Sequence, residues 1–271
     1  FDVRNSIFTN YNGRAHEVHI PEGITEIAIG AFNIASKYIE KICLTDSITN
    51  IPKECFNNCI ELKEVIWGKK LESISEYAFS NCSNLEKIIL PNTLKSIRKY
   101  AFQGCIKLKE IECPDGLAEM GEHAFYNCTS LKYFKFSSRI TTILAGTFGG
   151  CESLEEVVFQ EGLISIEAIA FYDCASLKRV VLPSGLRNIS DRSFNGCESL
   201  ELLNIPDSVI SIGKAAFGGT NIHSLYIPHI ISDPCCIRNC HSLDELDASI
   251  EFKKNYREAI KVLVRVRKNI L

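Results

Sequence analysis

One short segment recurs along most of this chain. An Ala-Phe pair with a cysteine three residues after the phenylalanine occurs at Phe79, Phe102 and Phe125, 23 residues apart each time. Nine phenylalanines keep this phase, with one step of 24 residues and then steps of 23: Phe32, Phe56, Phe79, Phe102, Phe125, Phe148, Phe171, Phe194 and Phe217. A period of this length is typical of a stack of equivalent coils, each burying its apolar residues against its neighbours.

The first half of each unit predicts a β-strand. Residues 85–90 are rich in β-branched side chains, and the segment is too short for a helix. Pro91 ends the strand, because proline has no amide hydrogen to give to a sheet. We expect Leu94 and Ile97 to fold back over the strand and the following Ala-Phe pair to fill the coil from a short helical turn.

The two ends of the chain depart from the repeat, and we predict one domain over residues 1–271. Residues 1–19 alternate polar and apolar side chains around Asn12-Gly13, which suits a tight turn, so we predict a hairpin cap. About ten repeats follow over residues 20–248. Residues 249–271 predict an amphipathic helical cap, although Val262, Val264 and Val266 alternate with charged residues and leave a strand open for the second half. The predicted apolar helix face contains Phe252, Tyr256, Ile260, Leu263, Val266 and Ile270.

The chain has thirteen cysteines, and seven of them recur at one position of the repeat: Cys59, Cys82, Cys105, Cys128, Cys151, Cys174 and Cys197. A small apolar thiol at a fixed place in every coil indicates packing in the core. Cys235, Cys236, Cys240 and His241 look like a metal cluster, but Cys240 is the repeat cysteine of the last coil and Cys236 falls at the position of Cys55. We therefore predict no metal site.

Composition and motifs favour no enzyme. A net charge of -3 over 271 residues does not point to nucleic acid as a partner, and the longest apolar runs fall far short of the roughly 20 residues that cross a bilayer. No nucleophile, base and orienting group recur together, the histidines are scattered, and there is no glycine-rich phosphate loop. The sequence predicts no catalytic residues, no cofactor and no membrane insertion.

Candidate contact residues are found where the charge pattern of the strands changes. Glu and Lys alternate from coil to coil at the outward strand positions, which pairs opposite charges across neighbouring strands. Tyr133, Lys135 and Tyr226 depart from this scheme, and an exposed aromatic beside an amine is a common anchor for a partner. We predict them as ligand contacts, with Ile89 and Val181 as apolar neighbours, while ordinary strand residues remain the alternative reading.

The repeat, with proline after the strand and A-F-x-x-C before the next one, resembles the BspA-like class of leucine-rich repeat proteins. The entry segment from Tyr11-Asn12-Gly13 into Val18 also resembles that class, and the likeness covers residues 1–248. The resemblance implies an α/β-type, right-handed leucine-rich repeat solenoid, a horseshoe or arc with a parallel concave β-sheet between the two caps. It also implies a non-enzymatic binding module for a protein or glycan ligand on the concave face.

The same resemblance implies an adhesion-type protein at the surface of bacterial cells or secreted by them. An intracellular protein-protein scaffold with no adhesive role is the alternative, which the many cysteines favour because free thiols persist in reducing surroundings.

Overall fold

The computed structural model describes residues 2–231 and 233–258, apart from the side chain of Glu112. Within them the chain forms a solenoid of about ten parallel-stranded turns with little helix. The helical segments described are a 3₁₀ turn at Pro234–Ile237 and residues 250–258. The expectation of a repeat solenoid is therefore confirmed, while its helical component is smaller than an α/β-type fold implies.

Each coil except the one at residues 87–89 contributes one three-residue strand to the first side of the solenoid. The middle residue points into the core and its two neighbours point outward, as the period of two requires. These strands are Glu17–His19 (β3), Lys41–Cys43 (β5), Glu64–Ile66 (β7), Glu110–Glu112 (β10), Tyr133–Lys135 (β12), Glu156–Val158 (β14), Arg179–Val181 (β16), Leu202–Asn204 (β18), Ser224–Tyr226 (β20) and Glu245–Asp247 (β21).

A second set of strands, each two residues long, follows the first at every turn. They are Glu26–Ile27 (β4), Asn50–Ile51 (β6), Ser73–Ile74 (β8), Ser96–Ile97 (β9), Glu119–Met120 (β11), Thr142–Ile143 (β13), Ser165–Ile166 (β15), Asn188–Ile189 (β17) and Ser211–Ile212 (β19). From β6 onward each pairs in parallel with an equivalent strand one coil away, as Ile74 does with Ile97, and the step of 23 residues keeps this register the same. The strand β4 pairs instead, also in parallel, with residues 7–8 of the N-terminal hairpin.

Both ladders of strands are interrupted, at different coils. In the first ladder, residues 87–89 of the described chain form no strand, and a single bridge joins Lys87 to Glu110. The first ladder also divides between β18 and β20, and the second divides between β4 and β6 and between β11 and β13. The first interruption lies beside the candidate site described below.

A column of phenylalanine rings fills the middle of the solenoid. Phe102, Phe125, Phe148 and Phe171 are fully buried, and neighbouring rings stack with centroids 5.4 to 5.6 Å apart. Burial of one such ring stabilises the fold by about 1.5–3 kcal/mol. The column begins with Phe8, which stacks on Phe32 at 5.2 Å and which the repeat alone did not identify.

The repeat cysteines are buried beside this column. Six of them donate the Sγ hydrogen to the phenylalanine carbonyl of the preceding coil, each at 3.2 Å: Cys82, Cys105, Cys128, Cys151, Cys174 and Cys197. All thirteen cysteines are free thiols. Burial raises the pKa of Cys105 and Cys151 to about 12, so these thiols stay protonated at neutral pH.

The Ala-Phe segments are successive turns, and the predicted helical turn is wrong for the described residues. The amide of Phe79 donates to Ala101 O in the next coil at 2.8 Å, so it is not available to a helix of its own segment. Tyr77 and Asn81 also adopt positive φ angles of 56° and 59°, which a right-handed helix does not contain. These turns form a third ladder along the solenoid.

The N-terminal hairpin exists, but its turn is not at Asn12-Gly13. Asp2–Arg4 (β1) pairs antiparallel with Ile7–Asn10 (β2), and the turn is Asn5-Ser6, whose φ angles of 49° and 64° suit a tight hairpin. Gly13 has another role, because a Cβ there would overlap the ring of Tyr11, which is buried against Phe32. Residues 17–19, predicted within the cap, already form the first parallel strand β3.

The C-terminal helix is described only in its first part. Residues 250–258 are helical, and Phe252 is fully buried in the core. The amide of Phe252 donates to the hydroxyl of Ser249 at 3.1 Å, which satisfies one of the free amides at the helix start. Ile260, Leu263, Val266 and Ile270, together with the alternative strand at Val262 to Val266, lie outside the described residues.

Candidate binding surface

The outward first and third residues of the three-residue strands, together with the outward residue before each strand, form one surface, which we call the strand face. Several of its charged residues are paired across neighbouring coils. Lys63 contacts Glu40 at 2.6 Å and Lys109 contacts Glu86 at 3.3 Å, both from the positions flanking the strands. The hydrogen bond from Lys63 is the main cause that lowers the pKa of Glu40. The strand register thus accounts for these charges without a ligand.

Three of the five predicted contact residues lie together. An open depression of about 500 Å³ is lined by Ile89, Tyr133 and Lys135. It lies at residues 87–89, where the first ladder is interrupted, and Glu110 and Asp115 add carboxylates to its rim. The side chain of Ile89 is 69% exposed, which is high for an isoleucine in a folded domain. An apolar side chain, an aromatic ring and an amine therefore share one concavity.

Val181 and Tyr226 are separate from this depression. Val181 lies on β16 and is 64% exposed, and its register partner on the adjacent strand β18 is Asn204. Leu202, which is 67% exposed on β18 beside Arg179, was not among the predicted contact residues. The hydroxyl of Tyr226 donates to Asp207, and this bond is the main cause that raises the pKa of Tyr226.

Sequence reasoning also missed a group of aromatic rings on the turn ladder. Tyr77 stacks on Tyr100, and Tyr100 stacks on His123, with both centroid distances 4.8 Å. All three are half-buried and precede the Ala-Phe pair at the repeat spacing. Lys99 Nζ lies 5.2 Å from the centre of the Tyr100 ring and also contacts Glu122. Scanning each repeat position for aromatic residues would have found this stack.

Potential metal ligands meet at the first two strands of the strand face. Glu17 and His19 on β3 and Cys43 on β5 each offer a donor atom, and these atoms lie within 4.8 Å of one another. Among the described residues, no other group of three or more potential metal ligands comes this close together. Cys236 and Cys240 instead donate to backbone carbonyls of Asp233 and Phe217.

Comparison with known proteins identifies the repeat. A sequence profile described as the BspA type Leucine rich repeat region matches six copies over residues 2–91, 72–195 and 164–261. No relative of the chain is found among curated protein sequences. In the part of the chain that the structure describes, no helix has the length and apolar character needed to span a bilayer.

Solved structures of bacterial leucine-rich repeat proteins share the fold. The protein from Bacteroides ovatus is 23% identical with a TM-score of 0.61, over 87% of this chain and 81% of that one. The protein from Eubacterium ventriosum is 28% identical with a TM-score of 0.60, over 79% of this chain and 61% of that one. The protein from T. pallidum is 24% identical with a TM-score of 0.57, over 72% of this chain and 82% of that one.

Proposed function

This chain belongs to the BspA-type leucine-rich repeat family, and from that premise we propose that it is a non-enzymatic binding module that recognises a protein partner through its strand face. Solenoids of stacked repeats offer long surfaces for recognition, and activity must be argued from the site itself. The observation that carries the proposal is the depression shared by Ile89, Tyr133 and Lys135.

The chemistry of this depression favours a protein partner. Binding hot spots combine an aromatic or aliphatic anchor with a charged neighbour in a concavity that excludes water. Ile89 supplies the apolar area, Tyr133 the ring, and Lys135 an exposed amine. Val181 and Leu202 add two exposed aliphatic side chains to the same face. Tyr226 is a peripheral contact in this proposal, because a ligand must compete with Asp207 for its hydroxyl. A glycan ligand would need the Tyr133 ring most and the aliphatic side chains least.

By analogy with its class, we propose that the module lies at the bacterial cell surface and has an adhesive role. We also propose that the sheet that binds the ligand is concave. The competing location is inside the cell as an assembly scaffold, and the thirteen free thiols favour it. Buried thiols with raised pKa values react slowly, however, and persist in oxidising surroundings too. Protease treatment of intact source cells separates the two locations. Digestion before lysis supports the surface, and protection until lysis contradicts it.

Binding is tested with arrays of extracellular-matrix proteins and of glycans. We expect the protein to bind a protein target, and Tyr133→Ala and Ile89→Ser each to weaken binding by about fivefold or more, which corresponds to at least 1 kcal/mol. The matched control is Ile230→Ser, since Ile230 is 67% exposed and lies outside the depression.

Three results would contradict this function. The first is no binding to either array, and the second is an equal loss of affinity in the Ile230→Ser control. The third is a lower unfolding temperature in Tyr133→Ala and Ile89→Ser that by itself explains their loss of affinity. Selective binding to glycans, with Tyr133→Ala decisive and Ile89→Ser neutral, would reassign the ligand class.

A further inference from the structure

Three side chains of different chemistry converge at the N-terminal end of the strand face. Glu17 and His19 are two residues apart on β3, so their side chains leave the strand on the same side. Cys43 is the register partner of His19 on the adjacent strand β5. Residues paired across neighbouring strands have Cβ atoms about 5 Å apart, which brings the thiol and the imidazole together.

The donor atoms are already close to the spacing that a tetrahedral ion requires. Glu17 Oε1 lies 3.2 Å from His19 Nε2 and 3.9 Å from Cys43 Sγ. Bonds of about 2.0–2.3 Å from zinc to nitrogen, oxygen and sulfur imply donor-to-donor distances of about 3.3–3.6 Å at a tetrahedral angle. Small rotations of exposed side chains are enough to reach those distances.

The charges around the cluster permit a cation. Lys41 Nζ lies 3.4 Å from Glu17, which opposes binding of a metal ion. The same ammonium group lies 3.6 Å from Glu64, so it can keep this second carboxylate as its partner when Glu17 turns away. The side chains of His19 and Glu17 are 70% and 50% exposed, so an ion reaches them directly from solvent.

We propose that Glu17, His19 and Cys43 form a zinc site in which the fourth coordination position is open to solvent or to a ligand. A donor set of one sulfur, one nitrogen and one oxygen suits a borderline-soft ion, and three protein ligands with one free position are typical of reactive rather than purely structural zinc. The thiol of Cys43 releases its proton to solvent on binding. The thiolate and the carboxylate then balance the charge of Zn²⁺.

Sequence analysis predicted no metal because the donors are dispersed. Cys43 is 24 residues from His19, and no short motif links them. Only the parallel pairing of β3 with β5 makes them neighbours. The cysteine is also not the repeat cysteine of its coil, so it stands apart from the column of buried thiols.

Cobalt is the spectroscopic probe for this site. The full chain, free of any affinity tag and stripped with EDTA, is titrated with Co²⁺ and then with Zn²⁺ as a competitor. We expect one equivalent of Co²⁺ to give the visible bands of a tetrahedral ion and a thiolate charge-transfer band, and Zn²⁺ to displace it. Cys43→Ser and His19→Ala should each weaken binding about 100-fold.

Two variants control for other thiols and imidazoles. Cys113→Ser removes another partly buried cysteine, and His223→Ala removes a histidine of the same face that contacts Asp244 at 3.0 Å. Both should bind the metal like the unchanged protein. Thermal unfolding in EDTA should be the same for Cys43→Ser, His19→Ala and the unchanged protein, since the proposed ligands are at least partly exposed.

Three results would overturn the proposal. They are a cobalt spectrum without the thiolate band, an affinity for Co²⁺ weaker than about 100 µM, and equal binding of Co²⁺ by Cys43→Ser and the unchanged protein. Should Cys43→Ser unfold, His19→Ala decides alone, because its exposed ring can be removed without opening the core.

Discussion

The Sγ atom of Cys128 lies 3.2 Å from the carbonyl oxygen of Phe102 in the preceding coil. The same contact recurs along the chain, so the thiol joins coils by a hydrogen bond as well as by packing. A smaller side chain at this position loses both contributions. In the coil of Phe217 the cysteine is replaced by Thr220, whose hydroxyl donates to the Phe217 carbonyl oxygen of its own coil at 2.7 Å.

We expect Cys128→Ala to lower the free energy of unfolding by about 1–3 kcal/mol, from the cavity and the lost hydrogen bond, while the Phe102 carbonyl keeps the Cys105 amide as its donor. Urea unfolding followed by circular dichroism measures this. Cys43→Ala, at a half-buried thiol, is the control and should stay within about 0.5 kcal/mol in EDTA. An equally small effect at Cys128 would show that the thiol merely occupies space that water or a neighbour can fill.

Gly146 provides a second test, because it continues the column of Tyr77, Tyr100 and His123. Its φ angle is +61°, and a Cβ there would lie 2.5 Å from the His123 ring. We expect Gly146→Ala to cost about 2 kcal/mol of stability, from backbone strain and overlap together. The measurement is again the unfolding free energy in urea.

Two companion variants separate these causes. Gly185→Ala should be nearly neutral, since no positive φ occurs there and the nearest atom to an added Cβ is 3.4 Å away. The double variant His123→Ala with Gly146→Ala should regain the stability lost through overlap with the His123 ring, but not the stability lost through backbone strain. A double variant as unstable as the sum of both single changes would exclude the ring as the cause.

His123 predicts a pH dependence of stability. Burial is the main cause that lowers its pKa, Lys99 lowers it further, and Glu122 opposes both. Because the folded pKa is below the unfolded value of about 6.5, the unfolded chain binds more protons as the pH falls through this range. The free energy of unfolding should therefore fall from pH 7.5 to pH 5.5.

The variant His123→Asn isolates this effect, since asparagine does not titrate and tolerates the φ angle of 56° at this position. Unfolding is measured at both pH values for each protein. The loss on acidification should be smaller in the variant. Identical losses would assign the pH dependence to other groups.

The repeat predicted the core well because each buried position is specified many times. Phe79, Phe102 and Phe125 occupy equivalent places, and the three-residue strands lie inside the predicted six-residue segments. The predictions that failed concern residues whose conformation is set by one local contact. Asn5-Ser6 forms the hairpin turn instead of Asn12-Gly13, and Gly13 leaves room for the ring of Tyr11.

The predicted site was recovered only in part as a spatial group. Ile89, Tyr133 and Lys135 line one depression, whereas Val181 and Tyr226 lie apart from it. Nothing in residues 85–90 distinguishes them from the equivalent segments that form strands, so the interruption there could not be predicted. Contacts between coils, such as that of His19 with Cys43, need the register that only the fold provides.

The two strand ladders and the turn ladder differ in continuity. The turn ladder runs from Phe56 to Phe217 with an amide-to-carbonyl hydrogen bond at every coil. The first strand ladder is interrupted at residues 87–89 and between β18 and β20, and the second between β4 and β6 and between β11 and β13. At residues 87–89, where the depression lies, the second ladder is continuous from β8 through β9 to β11. The coils beside the depression therefore remain joined to their neighbours by the turns and by one strand ladder, although the other ladder is open there.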